Sequence, residues 1–407
     1  MTGYSPFHYH NNIPYNTVAP THMTFFTVNH KSSKAGSRAR TGLITTAHGT
    51  IQTPGFVSVA TKGTVKSLTP FQLNEIGVQA SFVNSFHLAV HPGSEIVRKH
   101  GSIHDFSGMS WSLFSDSGGF QVFSLAKRTR KGKFRDSEEA ILVSLGEDKV
   151  VFRSLHDGTP IEFTPESSIQ HQINIGADII MAFDECTHYP ATEIYTRKAS
   201  KRTHDWLVRC IQYKKLHDRK EYPQYLYGVI QGGDFEKLRI ESAEFVRSQD
   251  TDGVAIGGVS VGESKQEMRN QVRWVSNYLP EDKPVHLLGV GQLDDIIDLV
   301  KYGIDTFDCV EPTRLARMGV LLSIENIEQT PSHWTVGQVD ITSTHFASET
   351  ASIDSPSAYV SEFSYAYLHH LFKQKELLAY TLATMHNLAV MEQLMGRIRE
   401  EIEANRI

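Results

Sequence analysis

Residues 112–119 read SLFSDSGG. A short apolar run ends in one carboxylate, Asp116, and then in paired glycines. Taken alone, Asp116 suits a turn, a phosphate-cradling loop or an acid held at the end of a strand. The fold reading comes from recurrence of the pattern. GFVSVAT (55–61), ASFVNSF (80–86), ADIIMAFDE (177–185), YLYGVIQGG (225–233), GVAIGGVS (253–260), HLLGVG (286–291) and DTFDCVEP (305–312) repeat it along the chain. Most are near-continuous apolar runs, as parallel strands buried on both faces require. Helix-like segments separate them, among them TPFQLNEIG, TPESSIQHQINIG, 191–217, DFEKLRIESAEFVRSQ and SKQEMRNQVRWVSNYL. In TPES, Thr164 stands at the cap position and Pro165 at the first helical position. This alternation predicts an α/β chain folded as a (β/α)₈ TIM barrel. Polar residues recur where the strands end: Asn84, Asp116, Asp184, Gln231, Gly258 and Asp308. Barrels of this class collect their catalytic groups at that end. A dinucleotide-binding fold would need a glycine-rich first turn that the chain lacks.

The chain has 407 residues, of which 40% are hydrophobic and 21% charged, enough for a sizeable core. A net charge of -6 excludes a wholly basic nucleic-acid coat, though not a local basic patch. The one strongly basic run is KRTRKGKFR (127–135). Three cysteines, Cys186, Cys210 and Cys309, form no disulfide framework and suit a reducing, cytoplasmic setting. No apolar run is long enough to span a bilayer, and the first residues lack the apolar core of a signal peptide. The organisation expected is a polar, loose tail over 1–22, a barrel over 23–330 and a C-terminal helical subdomain over 331–407. In the last of these, apolar positions 382, 385, 388, 391, 395, 398 and 402 step by three or four, as on an amphipathic helix.

Each of these strand-end residues has an ordinary alternative. A single aspartate after a strand is most often a cap or turn residue. Three of them at one barrel end suit paired-carboxylate chemistry, in which environments push the pKa values apart. Glycosidic bonds call for such sets. GVIQGG and AIGGVSVGE match no phosphate-loop spacing. They fit either tight packing or a flat ligand lying against backbone N–H groups, with Gln231 reading its edge. In PTRLAR (312–317), Arg314 and Arg317 follow Asp308 and suit either phosphate contact or a solvated face.

Six ordered motifs carry a resemblance. They are Ser115–Gln121, Phe183–Thr192, Gly228–Gly233, Gly257–Glu263, Gly289–Gly291 and Phe307–Gly319. From about Arg40 to the end, the chain resembles the queuine tRNA-ribosyltransferases, or tRNA-guanine transglycosylases, of bacterial type. The resemblance implies a (β/α)₈ barrel with a zinc-binding helical subdomain. It implies exchange of guanine at the wobble position of GUN-anticodon tRNAs (Asp, Asn, His, Tyr) for a 7-deazaguanine, a pentosyl transfer in queuosine biosynthesis that needs no ATP. Asp308 matches the nucleophile that attacks the ribose, and Asp116 the proton acceptor for the incoming base. Asp116, Ser117, Gly118, Gly119, Phe120, Asp184, Gln231, Gly258 and Val259 match the base-binding set, with Phe120 stacking on the ring. Asn84 matches the side chain that orients Asp116. Gly289, Val290, Gly291, Gln292, Leu293, Asp294 and Asp295 match one RNA-contacting segment, and Thr313, Arg314, Leu315, Ala316 and Arg317 the other.

The incoming base implied is 7-aminomethyl-7-deazaguanine, since Val261 stands where queuine users have glycine and Cys186 matches the bacterial type. A queuine-inserting enzyme, a non-catalytic tRNA-binding subunit and a small-molecule glycosidase are the competing readings. One departure is plain. The family's zinc-binding Cys-x-Cys-x-x-Cys positions fall here on Ser355, Ser357 and Val360, and only His386 is kept. One imidazole and two neutral hydroxyls make no ordinary zinc site, so no metal and no cofactor are expected. In the family that subdomain supports a homodimer, which leaves the dimerisation of this chain open.

Overall fold

The computed structural model describes residues 24–121, 140–154 and 158–407. The tail 1–22, the basic run 127–135 and most of the segment 126–150 lie outside the described residues.

Eight parallel strands close into a barrel. In chain order they are β1 (Gly55–Val59), β2 (Ala80–Val83), β3 (Ser112–Ser115), β4 (Ile179–Met181), β5 (Tyr225–Ile230), β6 (Gly253–Ile256), β7 (Val285–Leu287) and β8 (Thr306–Cys309). Neighbours in sequence are neighbours in space, and β8 closes on β1 with Asp308 opposite Val57. Each apolar run read as a strand overlaps one of them. The reason is visible in the packing. Val57, Phe82, Phe114, Met181, Tyr227 and Val229 fill the barrel interior, while alternate residues such as Phe56, Val83, Leu113 and Ile180 face the surrounding helices.

Helices follow the strands as expected. Thr164 caps the helix Pro165–Ile175 by accepting the Ser167 N–H at 3.1 Å, and Ser167 Oγ returns the bond to the Thr164 amide at 2.8 Å. Asn84 caps the short helix Ser85–Val90 that leaves β2. Leu377–Glu403 is one long helix, and each apolar position from 382 to 402 named above is buried. It lies against Glu311–Arg317, the helix that leaves β8. Asn387 ties the two together. Its Nδ2 donates to the Pro312 and Val320 carbonyls at 2.9 and 3.0 Å, and its Oδ1 accepts the Leu322 amide at 2.9 Å. Among the described residues, no helix is long and apolar enough to cross a membrane.

Three departures from a plain barrel were not expected. A three-stranded antiparallel sheet (Phe26–Lys31, Arg40–Thr46, Gly49–Thr53) precedes β1, with Ile44 and Ile51 packed on the barrel's interior cluster. A second one (Ala140–Leu145, Val150–Ser154, Pro160–Phe163) stands between β3 and the helix Pro165–Ile175. A hairpin (Val320–Glu325, Thr335–Asp340) spans position 330 and leads into the C-terminal helices.

The first sheet is bolted to the barrel by charge. Arg40 Nε donates to Asp305 Oδ1 at 2.9 Å and its Nη2 to Oδ2 at 2.6 Å. The guanidinium also reaches the carbonyls of Glu281 and Lys283, and Asp305 accepts the Val285 amide at 2.7 Å. Both side chains are buried, so this fork fixes the starts of β7 and β8 together. Arg40→Ala would leave Asp305 buried without its counter-charge. We expect a loss of about 3–5 kcal/mol of stability, read as a lower urea midpoint at pH 7.

Candidate active site

The C-terminal ends of the strands carry three carboxylates, each held by donors from neighbouring chain. Asp116 directly follows β3. Its Oδ1 accepts the Ser85 amide at 2.6 Å, and its Oδ2 accepts from Asn84 Nδ2. Asn84 can serve because its own Oδ1 is fixed by the His87 amide at 2.9 Å. Asp184, three residues past β4, accepts from Ser117 Oγ at 3.0 Å and from Gln231 Nε2 at 2.7 Å. Asp308, on β8, accepts from the Gly289 amide and from His286 Nε2, both at 3.0 Å.

Their environments push these acids apart. Burial raises Asp116 to about 7; the Ser85 bond opposes the shift, and the charges of Asp184 and Asp308 add to it. Burial likewise raises Asp184 to about 6, against the hydrogen bonds from Gln231 and Ser117 and with the neighbouring charge of Glu185. At neutral pH, Asp116 is therefore poised to hold or release a proton.

Glycines bring backbone close to these groups. A Cβ on Gly119 would stand 2.3 Å from the Asp184 carbonyl oxygen. Gly258 has φ +60, and a Cβ there would stand 2.2 Å from Gln231 Oε1. That Oε1 is buried and has no hydrogen-bond partner. Phe120, next in sequence to Gly119, is exposed, and Val259, next to Gly258, is buried. A flat, hydrogen-bonding ligand suits such a surface: glycine backbone below, an aromatic face, and an acceptor still to be satisfied.

Four supporting residues were missed in the sequence. Arg239, fully buried, donates to the carbonyls of Gly233, Gly257 and Gly258 at 2.7, 2.6 and 2.6 Å, and so fixes the loops after β5 and β6. Glu263 accepts the amides of Ser260 and Val261 and holds Ser260 at φ +58. Glu185 pairs with Arg202 and accepts from Tyr195 Oη at 2.6 Å. His286 backs Asp308. A signal existed for two of them: Arg239 and His286 are polar residues inside otherwise apolar stretches, and such residues need partners.

The two segments matched to RNA contact flank Asp308. Gly289 and Arg314 are exposed, and Gln292, Asp294, Leu315 and Arg317 are half-buried. Val290, Gly291, Leu293, Asp295, Thr313 and Ala316 are buried. Asp295 is occupied by Arg269, 2.7 Å away. Lys66, on the loop after β1, joins this edge. Burial lowers its pKa, as do the nearby charges of Arg317 and Lys62.

Two places bear on metals. The family's zinc positions do not fit the ion. Val360 is buried in the core, and the Ser355 and Ser357 hydroxyls accept the amides of Ser357 and Val360 at 3.2 and 3.5 Å. His386 Nε2 donates to the Leu322 carbonyl at 2.8 Å, which leaves a bare Nδ1 and no thiolate to join it. At the opposite end of the barrel, His48, His104 and Asp178 come together. The two imidazoles stack with centroids 3.5 Å apart and planes 16° apart. An ion bound by both would have to lie in both ring planes, and near-parallel planes share no such nearby point. The group is a hydrogen-bonded lock on Asp178, with His48 Nδ1 at 2.7 Å.

A closed parallel barrel with these acids at its C-terminal mouth defines a (β/α)₈ enzyme. Comparison with known proteins agrees. The queuine tRNA-ribosyltransferase family pattern matches residues 34–407. The queuine tRNA-ribosyltransferase of Herpetosiphon aurantiacus is 42% identical over 383 residues, covering 94% of this chain and 89% of its own. That of Protochlamydia amoebophila is 41% identical over 396 residues, covering 95% and 97%. The chain belongs to the queuine tRNA-ribosyltransferase family, pentosyltransferases that act on tRNA.

Proposed function

We propose that the protein exchanges guanine at the wobble position of GUN-anticodon tRNAs for 7-aminomethyl-7-deazaguanine, through a covalent ribosyl intermediate on Asp308. Asp308 attacks the anomeric carbon of the ribose as the bond to guanine breaks. The incoming base then gives its proton to Asp116 and displaces Asp308. The observation that carries this reading is the pairing of unlike acids at one mouth. Asp116 sits near neutrality, as a proton acceptor must, within the field of Asp308. Asp184, the unpartnered Gln231 Oε1 and the Gly258 backbone supply a purine-edge reader. The target base must be unstacked to reach it. By resemblance, Val261 stands where queuine users have glycine, which favours the smaller base.

Labelled guanine and unmodified tRNA for aspartate or tyrosine test the reading directly. The protein should incorporate guanine and the 7-aminomethyl base, but not queuine. Asp308→Asn should abolish both exchange and the covalent tRNA adduct. No exchange by the wild type, under conditions where a bacterial relative works, overturns the proposal.

The raised pKa fixes the pH dependence. Below about 7, Asp116 holds its proton and cannot accept another. Base incorporation should therefore rise with pH through about 7 and level off above it. Asp116→Asn should remove that limb and slow incorporation by about 10²–10⁴-fold. Linkage has a matching sign. The native state holds a proton that the unfolded chain has released, so this group costs stability as pH rises from 3.8 to about 7.

The C-terminal subdomain, on this proposal, is held without zinc. Its long helix, the Asn387 bonds and the buried Val360 take over that work. Metal analysis should find well under one zinc per chain. A chelator should leave the melting temperature within about 1 °C, whereas loss of a structural zinc would cost several kcal/mol.

A further inference from the structure

Among the described residues, the donors to Asp308 converge on one of its oxygens. His286 Nε2 and the Gly289 amide both lie 3.0 Å from Oδ1. Behind it, His286 Nδ1 lies 2.8 Å from Thr306 Oγ1. The strands explain the reach. His286 on β7 pairs with Thr306 on β8, and Asp308 lies two residues on, on the same face. The imidazole is fully buried inside the barrel, with the rings of Phe82 and Phe114 at 5.7 and 5.3 Å. Its partners assign the tautomer. An ionised carboxylate only accepts, so Nε2 carries the proton and Nδ1 accepts from the Thr306 hydroxyl.

We propose that His286 is a positioning residue for the transfer: with the Gly289 amide it pins Oδ1 and leaves Oδ2 as the attacking oxygen. This rests on the reading of Asp308 as the nucleophile. In the first half-reaction an Oδ2–C1′ bond forms as the C1′–N9 bond breaks, and its electron pair leaves with guanine. In the second, the incoming base, its N9 proton passed to Asp116, attacks C1′. The C1′–Oδ2 pair then returns to Asp308. Oδ1 is the carbonyl oxygen of the intermediate and gains charge as the carboxylate re-forms, so both donors strengthen as Asp308 departs.

The charged and titratable groups around Asp308 are few. Asp116 faces it across the mouth, Cys309 lies beside it, and Glu311 and Arg314 of the following helix face Cys309. None of these replaces the imidazole as a donor to Oδ1.

His286→Phe and His286→Gln test the proposal. The first keeps an aromatic ring between Phe82 and Phe114 but no donor; the second keeps a carboxamide donor. For the Phe variant we expect kcat for base exchange to fall about 10²-fold. The KM for tRNA should stay within about 2-fold, because the group touches no RNA. The Gln variant should recover to within about 10-fold of the wild type. The proposal is overturned if the Phe variant keeps kcat within about 3-fold, or if the Gln variant is as slow as the Phe variant. An adduct on Asp308→Asn would overturn the nucleophile assignment and this inference with it, whereas a wild-type-like Phe variant sinks this inference alone.

Discussion

Carboxylates that share a low-dielectric mouth repel one another, and each must be offered donors or keep its proton. The barrel answers this constraint locally. Asp116 takes its donors from the end of β2, Asp184 from the ends of β3 and β5, and Asp308 from β7 and the loop after it. Parallel strands in chain order make this arrangement natural. Every strand end lies beside the next, so a side chain on one can satisfy an acid on its neighbour. Asp116 and Asp184 are lifted to about 7 and about 6 by burial that their donors only partly offset.

The surrounding architecture serves the same end. The Arg40–Asp305 fork sets where β7 and β8 begin, three residues before Asp308. Asn387 draws the long C-terminal helix onto the segment after β8, so that segment is braced on both sides. Family membership carries the chemical class to this chain, and the mouth supplies a physical account of how it could be run. At the positions matched to the family's metal ligands, the serines make turn hydrogen bonds and Val360 packs in the core.

Much of the fold was legible in the sequence, since burial on both faces writes a strand as an unbroken apolar run. The strand-end acids were legible for a related reason: Asp116, Asp184 and Asp308 each interrupt such a run where it meets solvent. The antiparallel sheet at 140–163 was not. In KVVFRS and PIEF the apolar residues alternate with charged or polar ones, and in short segments that pattern does not separate strand from loop. His286 was one of twenty histidines, and only the register of β7 against β8 brings it to Asp308. The buried half of the RNA-matched segments was hidden for a similar cause. Leu293 and Ala316 are buried between half-buried neighbours on helices, and a linear motif gives no inside or outside.

Arg239 has a consequence for how this pocket can change. One guanidinium clasps the carbonyls of Gly233, Gly257 and Gly258, so the loops after β5 and β6 form a single mechanical unit. A substitution that reshapes one loop for a bulkier base must be absorbed by the other. Redesign of either loop is therefore a problem of a coupled pair, and single-site changes explore only the part of it that this clasp leaves unconstrained.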